Sequence, residues 1–473
     1  MVWETVMGLE VHAELSTKSK IFCACTTDFG GESNSRVCPV CSGMPGTLPK
    51  LNRAVVEYAI KAGLALNCEI SRNSKFDRKN YFYPDLPKAY QVSQLYAPIC
   101  RDGELEIETD GQKKLIGIRE IHMEEDAGKL NHNGDTRMDF NRCGVPLIEI
   151  VSKPDFRSAD EVIAYLEKLR ETLLYLEICD CKMQEGSLRV DVNLSVRREG
   201  EEMGTRTEMK NINSFKAIAR AIEHEKKRQI EILRSGGEII QETRRWDDEK
   251  GESYGMRSKE NAQDYRYFPE PDLLPIEVSD EWLEQLKKAI PELPPKKRER
   301  YIKELCLSEN EAVILTSHIN ISNLFEQILS LSNETKETAN LIIGDIMRMM
   351  NNTATLPENL TVDGRKLAVL VTLVSEKKIN RNSYKEAVEA VFLHDIEPEK
   401  YITEKGLLMI SDDSATKEAV KTVLAENANA VADYHDGKAK AIGFIIGQVM
   451  KKLGGAGNPE VVKRILEEEL KVC

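Results

Sequence analysis

The chain has 473 residues, 41% of them hydrophobic and 31% charged, with a formal net charge of -13. That length exceeds what one core supports and predicts about three domains of ordinary globular composition, while the acidic balance excludes generic nucleic-acid affinity, so any RNA contact needs a local basic patch. No stretch approaches the ~18 apolar residues of a membrane span, and the opening MVWETVMGLEVHAELSTKSK lacks the order of a signal peptide. Eleven irregularly spaced cysteines suit a reducing compartment, so a cytoplasmic protein is expected.

In chain order, Met7 to Glu14 alternates as a strand, with Gly8, Glu10, His12 and Glu14 opposite Met7, Leu9, Val11 and Ala13. Cys23, Cys25, Cys38 and Cys41 follow, spaced as two close pairs around a loop that carries Gly30 and Gly31. Four thiolates so placed can close around one zinc ion with no open coordination position, which predicts a structural zinc knuckle over 23–41; the alternative is four free thiols. A helical pattern covers Ala54 to Leu66. In KFDRKNYFYPDLPKAYQ, Arg78 and Lys79 stand beside Tyr81, Phe82 and Tyr83, a mixture that can hold phosphate and stack a flat ring, or simply anchor a surface loop.

The strand-like LIGIREIHMEED leads into HMEEDAGK, where Glu124, Glu125 and Asp126 are consecutive. Three adjacent acids repel one another unless a cation or basic groups hold them. Hard oxygen ligands drawn from separate strands suit magnesium; a solvated acidic turn is the other reading. Glu149 lies in VPLIEIV, otherwise apolar or proline on both faces, so its carboxylate is carried inward and must meet a cation. After a helix over Ser158 to Leu176, the run Leu188 to Arg197 sets Arg189, Asp191, Asn193 and Ser195 against Leu188, Val190, Val192, Leu194 and Val196. Arg206, Glu208 and Lys210 repeat the pattern, which any half-solvated antiparallel sheet also displays. A helix over Asn213 to Arg234 follows.

The run IPELPPKKRERY predicts a domain boundary and a helix start at Pro294 or Pro295. Three units are therefore expected: an α+β domain over 1–294, an all-α domain over 295–400, and a second helical unit over 401–473. Between Gly437 and Arg464 the last unit carries Lys438, Lys440, Lys451, Lys452, Lys463 and Arg464 against the single acid Glu460. Such a patch fits tRNA held by its phosphates, or else an amphipathic helix with solvated lysines. P-loop, kinase and Rossmann fingerprints are absent.

Together the motifs GLEVHAEL, FCAC with CPVC, KFDRKNYFYPDLPKAYQ, HMEEDAGK, VPLIEIV, EGSLRVDVN, EMKNINSF, QETRRWD and DYRYFPEPDLLP resemble the B subunits of aspartyl/glutamyl-tRNA amidotransferases over essentially the whole chain. The resemblance implies a cradle domain of the glutamine synthetase/guanido kinase type, a helical domain and a YqeY-like tail. It implies an ATP-dependent carbon–nitrogen ligase: ATP and Mg2+ activate the side-chain carboxylate of misacylated Glu-tRNA(Gln) or Asp-tRNA(Asn), and ammonia from the amidase of the complex, its A subunit, displaces phosphate. A small C subunit completes the heterotrimer, GatCAB, and no membrane is involved. The family's metal site maps onto His12, Glu125 and Glu149 beside Glu10; His12 binds the ion directly, through water, or takes manganese. Lys79 and Arg189 are expected on phosphate oxygens, Asp191 on a second metal or the incoming ammonia, and Tyr81, Ser187 and Lys210 along the same face. Structural Zn2+ is implied at the four cysteines, and tRNA contacts at Lys438, Lys440, Lys451 and Lys452.

Overall fold

The computed structural model describes residues 3–258, 264–409, 413–435, 440–453 and 457–470. The chain forms two compact units, Met1–Pro294 and Pro295–Cys473. The first is mixed α+β around one large sheet, and the second is helical.

Nine strands build the large sheet: β1 Trp3–Glu14, β2 Glu69–Ile70, β3 Cys100–Thr109, β4 Gln112–Glu125, β5 Pro146–Ser152, β6 Leu188–Arg198, β7 Thr207–Lys210, β8 Glu242–Asp247 and β9 Glu252–Ser258. Their spatial order is β9-β8-β7-β6-β1-β5-β4-β3-β2. Consecutive strands lie side by side except at β1, which is inserted between β5 and β6 and pairs antiparallel with both. Only β7 and β8 run parallel.

The alternation of β1 resolves as two faces. Met7, Leu9, Val11 and Ala13 are buried in the main core with Ile148 and Ile150 of β5 and Val190, Val192 and Leu194 of β6. Helices α1 Arg53–Ala65, α2 Ala159–Tyr175 and α3 Phe215–Arg234 contribute to that core. Each begins where a polar side chain caps a free amide: Asn52 accepts from Ala54, Ser158 from Glu161 and Ser214 from Ala217. With the apolar side covered by helices, the opposite face of β4, β5, β1, β6 and β7 is left to the polar residues.

A small three-stranded sheet, Phe268–Pro269, Asp77–Asn80 and Tyr90–Ser93, carries the KFDRKNY motif. In the second unit, residues from Tyr301 to Ile402 form one core and residues from Ala419 to Leu470 another. Helix Pro398–Glu404 straddles position 400, and its Ile402 packs into the earlier of these cores. No described helix is long and apolar enough to cross a membrane.

Candidate metal and phosphate site

Residues opposite one another on adjacent strands share a face, and the register here lines up the chemistry. His12 stands opposite Arg189 of β6 on one side and Glu149 of β5 on the other, and Glu149 stands opposite His122 of β4. Glu124, two residues beyond His122, points the same way. His12 Nε2 lies 3.5 Å from Glu124 Oε1 and 3.8 Å from Glu149 Oε2, and His122 Nε2 lies 2.7 Å from Glu149 Oε2. One ligand atom from each of His12, Glu124 and Glu149 falls within 4.8 Å of the others. Burial works against the charge of Glu149, yet the fields of His122, His12 and Lys79 hold its carboxyl well below the usual range; reciprocally, Glu149 raises the buried His122 above the ordinary imidazole value. Two converging carboxylates and one imidazole are a donor set that fits a hard or borderline divalent cation, with the His122 hydrogen bond orienting one of the ligands.

Glu125, expected as the third ligand, is placed elsewhere. A strand turns successive side chains to opposite faces, so Glu125 follows Met123 toward the core side. There its carboxylate pairs with Lys88 and accepts from the Val92 amide at 2.9 Å. Glu124 takes the position expected for it.

A second acidic group lies beside the first. Glu10 stands opposite Asp191, and with Glu208 the three offer ligand atoms within 4.8 Å of one another. Lys210 already occupies the middle, paired with Asp191 and 3.0 Å from Glu208. Despite burial, those two carboxylates raise the Lys210 pKa. Burial, followed by the charges of Glu149 and Glu208, pushes the Glu10 carboxyl up, and Asn193 Nδ2 donates to its Oε1 at 3.0 Å.

Arg189 is committed to Asp126 at 2.8 Å, which Arg142 also approaches at 3.3 Å. Next to them burial, then the charge of Asp126, pushes the Glu14 carboxyl up to about 8. Ser187 turns to its own loop, where its hydroxyl donates to Asp180 and accepts from the Lys182 amide.

Lys79 and Tyr81 border the site. Lys79 Nζ lies 5.0 Å from the ring centroid of Tyr265 and 5.7 Å from that of Tyr81. Burial, then the nearby charge of Glu124, raises the pKa of Tyr81 and likewise of Tyr267. Tyr265 and Tyr267 were not singled out from the sequence, although their alternation in DYRYFPEP is the signal that marks an extended segment presenting two rings to one side. The same is true of His122, which follows Glu120 with the parity that selects Glu124.

The four cysteines converge as their spacing predicts. Tetrahedral zinc sets thiolate sulfurs about 3.8 Å apart; Cys38 and Cys41 Sγ are 3.8 Å apart, and all four sulfurs lie within 4.8 Å of one another. Lys20 supplies a second line of support. Its side chain is fully buried, donating to the Arg36 carbonyl at 2.9 Å and to Cys41 Sγ at 3.6 Å. A buried ammonium requires a counter-charge, and a thiolate provides one; a hydrogen bond from Cys23, with help from Lys20, holds Cys41 well below the usual thiol range. The cluster is consistent with a zinc site. Gly43, at φ +68°, packs so close to Lys88 that a Cβ there would lie 2.6 Å from Lys88 Cγ, so the knuckle abuts the lysine that holds Glu125.

Residues 5–284 match the GatB/GatE catalytic domain, and residues 323–470 match the GatB domain. The chain belongs to the GatB family. Among its relatives, the aspartyl/glutamyl-tRNA(Asn/Gln) amidotransferase B subunit of Lachnoclostridium phytofermentans is 59% identical over 473 residues, 99% of each chain. Those of Caldicellulosiruptor bescii, 57% identical over 477 residues and 99% of each chain, and Thermoanaerobacter pseudethanolicus, 54% identical over 473 residues, 99% of this chain and all of the relative, are similar throughout.

Of the tail lysines expected on tRNA, Lys438 and the side chain of Lys440 lie outside the described residues. Lys451 and Lys452 close helix Lys440–Lys452 as its basic last turn. Lys451 is exposed, whereas Lys452 reaches Glu426 at 2.7 Å.

Proposed function

We propose that this chain carries the carboxylate-activating half of a tRNA-dependent amidotransferase, working in the cytoplasm as the B member of a heterotrimer whose other members are an amidase and a small third protein. GatB-family proteins serve the transamidation of misacylated tRNA; the substrates here are Glu-tRNA(Gln), Asp-tRNA(Asn) or both. The cradle reading, with a nucleotide on an open sheet, suits the polar face described above. The reading is carried by the meeting of His12, Glu124 and Glu149 on three adjacent strands.

A carboxylate accepts ammonia poorly because oxide leaves badly. Its oxygen attacks the γ-phosphorus of ATP and ADP departs with the bonding pair; the ammonia nitrogen then attacks the carbonyl carbon of the acyl phosphate, and inorganic phosphate leaves with the C–O bonding pair. Magnesium, held by His12, Glu124 and Glu149, would offset phosphate charge during the transfer. Lys79 contacts phosphate oxygens from the rim, and Arg189 fixes Asp126 and Glu14 next to His12. Tyr81 and Lys79 border the nucleotide. The nitrogen must shed a proton after attack, and Glu10, with its raised pKa, beside Asp191 and on the same strand face as His12, is a suitable acceptor. Cys23, Cys25, Cys38 and Cys41 would hold zinc, which would keep the loop after β1 in place without entering the reaction. The basic tail holds tRNA through phosphate contacts.

The test is phosphate release from ATP by the reconstituted heterotrimer, with and without misacylated Glu-tRNA(Gln), for wild type and Glu149→Gln. Release that needs the misacylated tRNA and disappears in the variant supports the reading. Release unchanged by the variant moves the chemistry elsewhere and leaves this chain as the tRNA-holding scaffold.

A further inference from the structure

The ammonium of Lys79 is held by rings rather than by an acid. Among the described residues its side chain enters no hydrogen bond or ion pair, and its neighbours are the faces of Tyr265 and Tyr81, 5.0 and 5.7 Å from Nζ to the centroids. The two rings meet edge to face, with centroids 5.8 Å apart and planes at 72°. Yet Lys79 sits beside the metal-site acids: it pairs with Gln91, whose Nε2 donates to the Glu125 carbonyl at 2.8 Å, and Ser93 Oγ on that same strand lies 3.5 Å from Glu124 Oε2. A flexible four-carbon stem in that position would ordinarily swing onto a carboxylate. Such a pair would cancel the charge that an incoming phosphate needs, and would occupy a metal ligand.

Tyr265 reaches Lys79 from far along the chain, and main-chain bonds fix it there. Asn80 N donates to the Tyr265 carbonyl at 2.9 Å, Asn80 Nδ2 to the Arg266 carbonyl at 2.8 Å, and Phe268 pairs with Arg78. Lys79 is tied from its other edge through the pairing with Gln91. The backbone of Tyr265 is therefore tied to the residue next to Lys79, which places the ring within reach of the ammonium.

We propose that Tyr265, with Tyr81, is a positioning residue that holds the Lys79 ammonium off the metal carboxylates and presents it to a phosphate group. A ring face attracts a cation without neutralising it. The inference rests on the reading of Lys79 as a phosphate contact given above. Its working part is the aromatic face, and the phenol hydroxyl of Tyr265 is dispensable.

The experiment is calorimetric binding of a non-hydrolysable ATP analogue with magnesium to the full heterotrimer. Lys79→Met should weaken binding about tenfold. Tyr265→Leu should weaken it about fourfold, Tyr265→Phe should stay within about twofold of wild type, and Tyr265→Trp should bind at least as tightly. The double variant Lys79→Met/Tyr265→Leu should bind no more weakly than Lys79→Met alone, because the ring acts only through the lysine. Unchanged binding in Tyr265→Leu overturns the inference, as does a loss in Tyr265→Phe equal to that in Tyr265→Leu, or additive losses in the double variant. If Tyr265→Leu fails to assemble, the Phe and Trp variants decide between ring and hydroxyl. Unchanged binding in Lys79→Met overturns the phosphate reading itself, and the positioning role falls with it.

Discussion

Glu124 and Glu125 are adjacent acids with opposite surroundings, and exchanging each for glutamine should separate metal binding from stability. Among the described residues, Glu124 makes long contacts with His12 and His122, at 3.5 and 3.8 Å, and Ser93 Oγ is 3.5 Å away. Removing its charge relieves repulsion with Glu149 and the desolvation of a buried carboxylate, which offsets the lost attraction to His122, so Glu124→Gln should cost less stability than Glu125→Gln. It should weaken Mn2+ binding to the complex by at least about tenfold, since even outer partners of a metal site are worth that much. Glu125→Gln removes the counter-charge of Lys88 inside the fold, where both side chains are largely buried. Breaking such a pair costs about 3 kcal/mol, because it leaves an uncompensated ammonium. For a unit of this size that corresponds to a fall of about 5 °C in melting temperature, with Mn2+ affinity within about threefold of wild type. Both quantities are read on one preparation, by electron paramagnetic resonance titration with Mn2+ and by thermal unfolding. Wild-type Mn2+ affinity in Glu124→Gln, or its abolition in a folded Glu125→Gln, would refute the assignment of the two faces.

Chelation of zinc, or Cys41→Ser, should release the metal and open residues 23–44 to protease, since the loop's cross-link is the ion itself; unchanged protease resistance would argue against a loaded site. Glu225 is buried, a cost overcome by its bonds to Arg228, Gln229 and Thr207, so its pKa is depressed in the folded chain. The stability it contributes is present above the unfolded carboxyl value near 4.5 and is lost as pH falls through the lower folded value. Glu225→Gln should accordingly unfold more easily at pH 7 and show a flatter acid limb in denaturant titrations; an acid limb parallel to wild type would contradict the network. On the tail, Lys451→Ala should weaken tRNA binding and reduce its salt slope by about 1, whereas Lys452→Ala, already paired with Glu426, should do less. Filter binding at several salt concentrations measures both, and equal effects would remove the distinction.

Spacing and alternation are local, and what depends on them could be read directly from the chain. The pairs of cysteines announce a candidate four-sulfur cluster because each short spacing brings two sulfurs together, and the fold then brings the two pairs to one another. The β1 alternation announces a polar face holding Glu10 and His12, because a strand has no choice but to turn every second residue to the same side. Glu149 was marked by being an acid in an apolar run. Register is another matter. Whether Glu124 or Glu125 joins His12 is a question of parity, settled only when β4 pairs with β5 and sets His122 opposite Glu149; a one-residue shift would exchange them. The insertion of β1 between β5 and β6 likewise has no local sign, since neither neighbour is the next strand in the chain. Tyr265 meets Lys79 for the same reason: their contact is made by hydrogen bonds between segments far apart in sequence, and only the folded main chain brings an aromatic face to an ammonium that its own neighbours leave unpaired.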